Sequence, residues 1–495
     1  MLTAGRNPRS PRAPKICSDT RLNRTIPLIL AVALFMENMD STVIATSLPA
    51  IANDIGTSPI ALKLALTSYL VSLAIFIPIS GWMADRYGAK RVFRAAIGVF
   101  IVGSIACAMS GSLVDFVLAR FGQGLGGAMM TPVARLVLVR ATPKRELVSA
   151  MAWLTVPALV GPLVGPPVGG FITTFFTWHW IFLINVPIGI IGIVLATKVL
   201  PDIEPVGAKP IDFAGFLLSA IAASGVVFGL SVVSLPALPP IVGITTLIIG
   251  VVCGVIYVRH ARRAANPILD PRVFSNATFR AAITGGTIFR IGNGAVPFLL
   301  PLMFQLGFGM TPFQSGMLTF ASALGAIMMK FLAPVTLRLG GFRNVMICAA
   351  IAASFFIGIN GWFTPSTPSA VIILVLIGSG LLRSLFFTST NALVFADIED
   401  KDASQATSIS AVSQQISVAL GVAVAGIILE AFIYITGQPL AAPAFSTAFM
   451  IVAAITALAA IPFIGLARDA GSSVSGQAIR QPAEARPLRE SQPTL

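Results

Sequence analysis

Charge is scarce in this chain. Asp, Glu, Lys and Arg make up 11% of its 495 residues, where soluble domains carry about 25%, and that excludes a water-soluble globule. Histidine is scarcer: His179 and His260 are the only two, and the predicted topology puts them on opposite sides of a membrane. The four cysteines, Cys17, Cys107, Cys253 and Cys348, have the spacing of neither a disulfide framework nor a zinc site. No metal site is expected. A phosphate-cradling Gly-rich Lys loop is missing, which excludes a built-in ATPase. An enzyme is not expected, because no nucleophile–base pair stands at a plausible spacing. The segment before Ile26 is polar, basic and Pro-rich, without the apolar core and cleavage site of a signal peptide. The first span is expected to act as an uncleaved signal-anchor.

Apolar length is what the chain has in quantity. Hydrophobic residues make up 56%. Runs of about 20 residues, enough to cross a bilayer, are predicted at 26–47, 60–82, 93–112, 114–138, 148–170, 180–200, 211–232, 239–258, 281–304, 315–335, 344–363, 371–394, 407–429 and 445–466. That predicts an all-α integral membrane protein, with each helix satisfying its own backbone in lipid. The net charge of +14 and pI near 10.4 do not point to nucleic acid. Arg120, Arg135, Arg290, Lys330 and Arg383 fall inside spans, and only Lys63 lies near the opposite face. The other basic residues gather on one side, which the positive-inside rule makes cytoplasmic. Both termini are therefore expected in the cytoplasm, joined by an even number of spans.

The domain organisation follows from the spans. A basic tail (1–25) precedes an N-terminal six-helix half (26–200), an inserted helix pair (201–258) and a basic, interfacial cytoplasmic loop (259–280). A C-terminal six-helix half (281–466) and a polar tail expected to be disordered (467–495) complete it. A faint repeat supports the division. A constant offset of 252 takes Pro49 to Pro301, Arg86 to Arg338, Gly88 to Gly340 and Arg91 to Arg343. Repeats of this kind build transporters whose substrate site lies between two halves near the midplane.

GWMADRYGAKRVF (Gly81–Phe93) closes the second span and its cytoplasmic turn. Gly81 permits close helix approach, and Gly88 suits a tight turn. Asp85 can bond backbone amides or a cationic neighbour, while Arg86, Lys90 and Arg91 face the anionic leaflet. An ordinary topogenic basic loop is the plainer alternative. The segment resembles the loop signature of the major facilitator superfamily, with Met83 in the usual Leu position. The resemblance implies that Asp85, Arg86 and Arg91 are gating residues that latch the cytoplasmic ends of the two halves.

Four more segments sharpen the likeness. MDSTVIATSLPAIA (Met39–Ala52), RFGQGLGGAMM (Arg120–Met130), GPLVGPPVGG (Gly161–Gly170) and WHWIFLINVPIG (Trp178–Gly189) resemble span signatures of the 14-span drug:proton antiporter family. Met39, Ala45 and His179 depart from its usual Leu, Asn and Arg. The resemblance implies a major facilitator bundle of about 14 helices, two pseudo-symmetric six-helix halves plus an inserted pair. It implies export coupled to inward proton movement across a bacterial inner membrane, by a monomer, with no cofactor beyond the proton gradient. Lipid, a small-molecule substrate and the proton are the expected partners. Sodium coupling and a periplasmic adaptor stay open, as do a non-coupled channel or a membrane sensor on the same fold.

Individual residues can be read physically. Gly161, Gly165 and Gly169 stand four apart and form a smooth ridge for close packing, with Gly170 beside it. Pro162, Pro166 and Pro167 should bend that helix. The expected role is a sealed joint that prevents leak while the halves rock, and Gly122 and Gly126 should serve the fourth span in the same way. Glu37 and Asp40 lie three apart and share a helix face. Carboxylates at this depth are costly unless they meet water, a cation or a proton. Asp40 is the leading proton carrier, Glu37 the second, and Arg120 the natural partner; a static ion pair is the alternative.

Arg290, Lys330 and Arg383 lie in three spans of the second half, with no acidic residue inside those spans; Glu430 is at an outer boundary. By the family fold these residues, with Asn293 and Gln123, line the substrate cavity. A cation would be repelled there, so either an organic anion held by Arg forks or a set of cations paired with Glu37 and Asp40 is expected.

Overall fold

The computed structural model describes residues 25–470, apart from 144–145, 203–209, 234, 236–237, 400–401, 439 and 468–469. Apart from their inner ends, the two tails, Cys17 among them, lie outside the described residues. Among those residues there is no strand. The helices are α1 (Thr25–Val43), α2 (Leu48–Asp54), α3 (Lys63–Tyr87), α4 (Ala89–Ala108), α5 (Leu113–Ala141), α6 (Leu147–Phe175), α7 (Trp180–Leu183) and α8 (Asn185–Val199). They continue with α9 (Phe213–Val232), α10 (Pro240–Ala261), α11 (Ala277–Leu302), α12 (Pro312–Asn360), α13 (Ser369–Ala396), α14 (Ala403–Thr436), α15 (Ala442–Leu458) and α16 (Ile461–Ile464).

Twelve helical segments are long and apolar enough to cross a bilayer. Helix α12 has 49 residues, which at 1.5 Å each reach roughly 70 Å, twice the hydrocarbon thickness. It divides at Gly341, whose φ of 66° and ψ of 162° are non-helical and suit glycine alone. Helix α5 supplies the other crossing: its 29 residues are long enough, but it carries Asp115, Arg120, Arg135 and Arg140. The count is therefore fourteen. Gly88 makes the corresponding turn in the first half with φ 89°. The sequence repeat paired Gly88 with Gly340, but the turn falls one residue later, because the chain needs positive φ at only one of the two adjacent glycines.

In the first half α1 packs on α6 and α8, and α5 is flanked by α3 and α4. In the second, α11 packs on α13, α14 and α15, and α12 on α13 and α15. Two pairs join the halves: α6 with α12, and α3 with α14. The inserted α9 and α10 lie against each other where Gly225 meets Gly250. Helix α9 also touches both α3 and α14, through Val71, Ile75, Val227 and Ala419. The inserted pair thus rests on the seam. Ahead of α11, the 259–280 loop docks on α14, with Asp270 N donating to Gln405 Oε1 at 3.0 Å and Gln405 Nε2 to Pro267 O at 3.3 Å.

The polar bonds across the seam lie at the end of the bundle where α1 stops and α3 begins, away from both termini. Lys63 Nζ is 2.7 Å from Glu430 Oε2, with the lysine side chain 0% and the glutamate 9% exposed. Gln305 Nε2 donates to Thr46 O at 2.9 Å, and Phe313 N to Thr174 Oγ1 at 3.1 Å. A Cβ on Gly170 would strike the backbone of Pro312, and one on Gly316 the backbone of Pro166, so the halves meet main chain to main chain. Two predictions follow from this joint. Gly316→Val should destabilise the closed joint by about 1–3 kcal/mol, the usual cost of overpacking, read as faster maleimide labelling of a Thr174→Cys reporter. Glu430→Gln should destabilise it by roughly 3–5 kcal/mol by stranding a buried ammonium from its carboxylate, seen as a lower detergent melting temperature that the Lys63→Glu, Glu430→Lys exchange partly restores.

Candidate functional site

Five helices converge on Asp40. Its position on α1, three residues after Glu37, turns both carboxylates toward α5. Arg120 on α5 places Nη1 2.6 Å from Asp40 Oδ2, and both residues are 1% exposed. Gln123, one helical turn on, donates Nε2 to Asp40 Oδ1 at 2.9 Å and accepts from Arg120 Nη1 at 2.6 Å. Asn185, which opens α8, donates to the same Oδ1 at 3.0 Å. Ser104 of α4 accepts from Gln123 at 2.8 Å and from Asn185 at 3.3 Å. The Tyr69 ring of α3 lies 4.3 Å from the guanidinium carbon. Asp40 is thus met by one cation and two amides. Such a pair survives burial only because its remaining acceptors are satisfied.

Glu37 is placed differently. It is half-buried and accepts one hydrogen bond, from Thr131 Oγ1 at 2.7 Å. Arg135, one turn beyond Thr131 on the same face of α5, is exposed. Close packing of α1 on α6 holds this region together: a Cβ at Gly161 would sit 2.8 Å from Phe35 O. Gly165 and Gly169 lie against Thr42 and Val43 in the same way. The glycine ridge therefore seals α6 to α1 within one half. The joint between halves uses the neighbouring Gly170 and Pro166, while Pro162 is half-buried.

Several expectations need correction. Gln123 does not line an open cavity: it is 0% exposed, drawn into the Asp40 cluster by the oxygen and nitrogen of its side-chain amide. Gly81 and Gly122 have nothing within 4 Å of a Cβ, so neither marks a close approach. Gly126 does, against Ala96 and Phe100 of α4. Asp85 pairs with Arg140 of α5 at 2.6 Å, a partner in its own half, so in this conformation it does not bridge the halves. Arg86 and Arg91 are exposed at the same turn.

In the second half the structure puts two of the expected cations on packed neighbouring helices, Arg290 on α11 and Arg383 on α13. Arg290 is 3% exposed on α11, lies 5.3 Å from the Phe387 ring and reaches Asn391 Oδ1 at a long 3.5 Å. Residues 383, 387 and 391 follow at i, i+4 and i+8 and so line one face of α13, which places Arg383 one turn from Phe387. Asn293, 5% exposed, is one turn from Arg290 on α11. Lys330 is exposed on α12 and shares no partner with them. Among the described residues no ion pair includes Arg290, Lys330 or Arg383. The pairing with Glu37 and Asp40 expected as one alternative does not occur here, because Arg120 and Thr131 occupy those carboxylates.

Six residues of these sites escaped the sequence reading: Asn185, Ser104, Tyr69, Thr131, Phe387 and Asn391. Asn185 lay within WHWIFLINVPIG and is polar inside a span, which was a usable signal. Ser104 and Tyr69 carried none, since small hydroxyls and aromatic rings are ordinary in spans. Lys63 and Glu430 were each placed at an outer boundary, but two sites 367 residues apart gave no sign of contact.

Comparisons agree with this architecture. The model of the Major Facilitator Superfamily matches residues 30–269 and 282–492. A Yersinia enterocolitica relative named for multidrug resistance, MdtD, is 33% identical over 454 residues, covering 90% of this chain and 95% of the relative. A Haemophilus influenzae relative named as a transport protein, HsrA, is 35% identical over 415 residues, covering 84% and 89%. Among solved structures, a D-xylose–proton symporter superposes with a TM-score of 0.65 at 14% identity, covering 90% of this chain and 98% of that one. The nucleoside transporter NupG gives 0.61 at 16% identity, covering 90% and 98%; at such identities the likeness is one of fold. This multi-pass membrane protein belongs to the Major Facilitator Superfamily of transporters.

Proposed function

We propose that the chain is a proton-coupled exporter of drugs or small amphipathic organic compounds. It works by alternating access in a bacterial inner membrane, with both termini in the cytoplasm. The observation that carries this reading is the unequal pair on α1. Asp40 is sealed by a guanidinium and two amides, while Glu37, three residues away, is half-buried and holds one hydroxyl. Protonating Asp40 breaks an ion pair; protonating Glu37 breaks none. Proton exchange therefore starts at Glu37, and Asp40 follows when the halves rock and the Arg120 contact loosens. The ionisable neighbours of Glu37 are Asp40 on its own helix, Arg135 on α5 and Tyr69 on α3. Helix α6 has no ionisable residue, and α8 brings only Lys198, in its last turn.

Names of the relatives support the substrate class. A monomer that needs only lipid, substrate and proton fits the reading, with no cofactor and no nucleic acid. A channel or sensor fits less well, since the buried seam at one end closes the path between the halves. In proteoliposomes with an acid interior, Glu37→Gln should lose gradient-driven accumulation while keeping gradient-independent exchange of substrate. Gradient-driven accumulation equal to wild type would contradict the assignment. Asp40→Asn should cost about 3–5 kcal/mol of stability by leaving Arg120 buried beside a neutral amide, measured as a drop in melting temperature along with lost transport; Asp40→Glu should recover part of both.

A further inference from the structure

The second half holds a buried cation with no matching anion. A guanidinium has five donors in a planar fork. Arg290 commits one of them, weakly, to Asn391 at 3.5 Å, and Arg383 makes no hydrogen bond or ion pair among the described residues. Arg290 is 3% exposed and Arg383 half-buried, and charges at this depth in a membrane are retained where they serve a ligand, a partner or a water-filled path. Every other buried ionic group here is answered: Arg120 by Asp40, and Lys63 by Glu430. Carboxylates that could answer Arg290 and Arg383 from across the seam are already engaged, Asp40 by Arg120 and Glu37 by Thr131.

The surroundings specify what would fit. Phe387 follows Arg383 by one turn on α13, and the Arg290 guanidinium of α11 sits over its ring. Behind it, Phe289 and Phe386 stack with centroids 3.7 Å apart and planes 9° from parallel, and Phe387 meets Phe289 edge-on at 5.4 Å. The aromatic wall is rigid and apolar, and Asn293 and Asn391 add amides beside it. A planar anionic head matches the Arg forks, and an aromatic or other apolar body matches the wall. A lipophilic cation would meet two positive charges in a low-dielectric setting and gain nothing from them.

We propose that Arg290 of α11 and Arg383 of α13, with the Phe387 ring that Arg290 covers, form the anion-binding subsite for the transported molecule, which carries a carboxylate or sulfonate on an apolar, preferably aromatic body. This rests on the transporter reading above and narrows its substrate. Lys330 is outside the subsite.

Binding and transport together test it. Purified full-length protein would be titrated with 2-naphthalenesulfonate and, as a cation of similar lipophilic character, tetraphenylphosphonium. The sulfonate should bind, and Arg290→Gln or Arg383→Gln should weaken it by about tenfold or more, the usual worth of a charged hydrogen bond. Arg290→Lys should lose less, since it keeps the charge, and retained elution profile and melting temperature guard against simple unfolding. Neither Gln variant should weaken tetraphenylphosphonium binding. Failure of the sulfonate to bind, or binding indifferent to both Gln variants, overturns the proposal. So does competition by phosphatidylglycerol vesicles but not by 2-naphthoate, which would make the site a lipid-headgroup site. The same ligands in acid-interior proteoliposomes separate this inference from the wider one. Gradient-driven uptake of tetraphenylphosphonium without the sulfonate removes the anion site and leaves the exporter. Sulfonate that binds through the arginines but moves independently of the gradient removes the coupling and leaves the site.

Discussion

A charge inside a lipid slab must be answered by an opposite charge, by hydrogen-bond donors or acceptors, by water or by a ligand, because its desolvation otherwise costs several kcal/mol. The rest of this molecule can be read from how each such charge is answered. Asp40 and Arg120 answer each other inside one half and tie α1, α4, α5 and α8 into a single polar knot. Lys63 and Glu430 answer each other between the halves, so their pairing depends on the conformation. Glu37 is answered by one hydroxyl, that of Thr131. Arg290 and Arg383 have no opposite charge among the described residues, and a ligand is the answer proposed for them.

Rigidity and motion are divided by the same logic. Within the first half, the Gly161, Gly165 and Gly169 ridge lets α6 approach the α1 backbone, and the Asp40 knot fixes their register. Nothing there needs to break during transport except the knot itself. Between the halves, contact is narrower: glycine against proline carbonyl at Gly170 and Gly316, one buried ion pair, and two hydrogen bonds to or from main chain. Large apolar groups fill in around these contacts: Phe313 of α12 meets Phe171 and Phe175 of α6, and one buried cluster joins residues of both halves. Helix α9, resting on both α3 and α14, covers one flank of the seam with apolar contacts that tolerate sliding better than directed polar bonds would.

Span number, the halves and the inserted pair were legible because hydrophobic length and basic loops report topology directly. The partnership of Asp40 with Arg120 was legible once both were placed inside spans, since buried opposite charges in adjacent helices have few other solutions. Other features were not. Gln123 was taken for cavity lining because its polarity, not its direction, was visible; helix rotation decides whether a polar group faces a void or a carboxylate. Gly81 and Gly122 were read as packing points from composition, but a glycine marks close approach only where a neighbour stands opposite. The Lys63–Glu430 contact depends on the mutual placement of the halves, which no local pattern encodes. Gly341 replaced Gly340 because a two-glycine turn leaves the choice of the positive-φ residue to tertiary geometry.

The central proposal is that proton exchange starts at Glu37 on α1, and that an exchanged substrate binds as this proton leaves. Its most direct measurement is proton release on substrate binding, followed with a pH indicator in lightly buffered detergent solution. By linkage, wild-type protein should release up to about one proton per chain somewhere in the pH range scanned, and Glu37→Gln should release almost none while still binding. No release from wild type at any pH, or equal release from the Gln variant, would contradict the account.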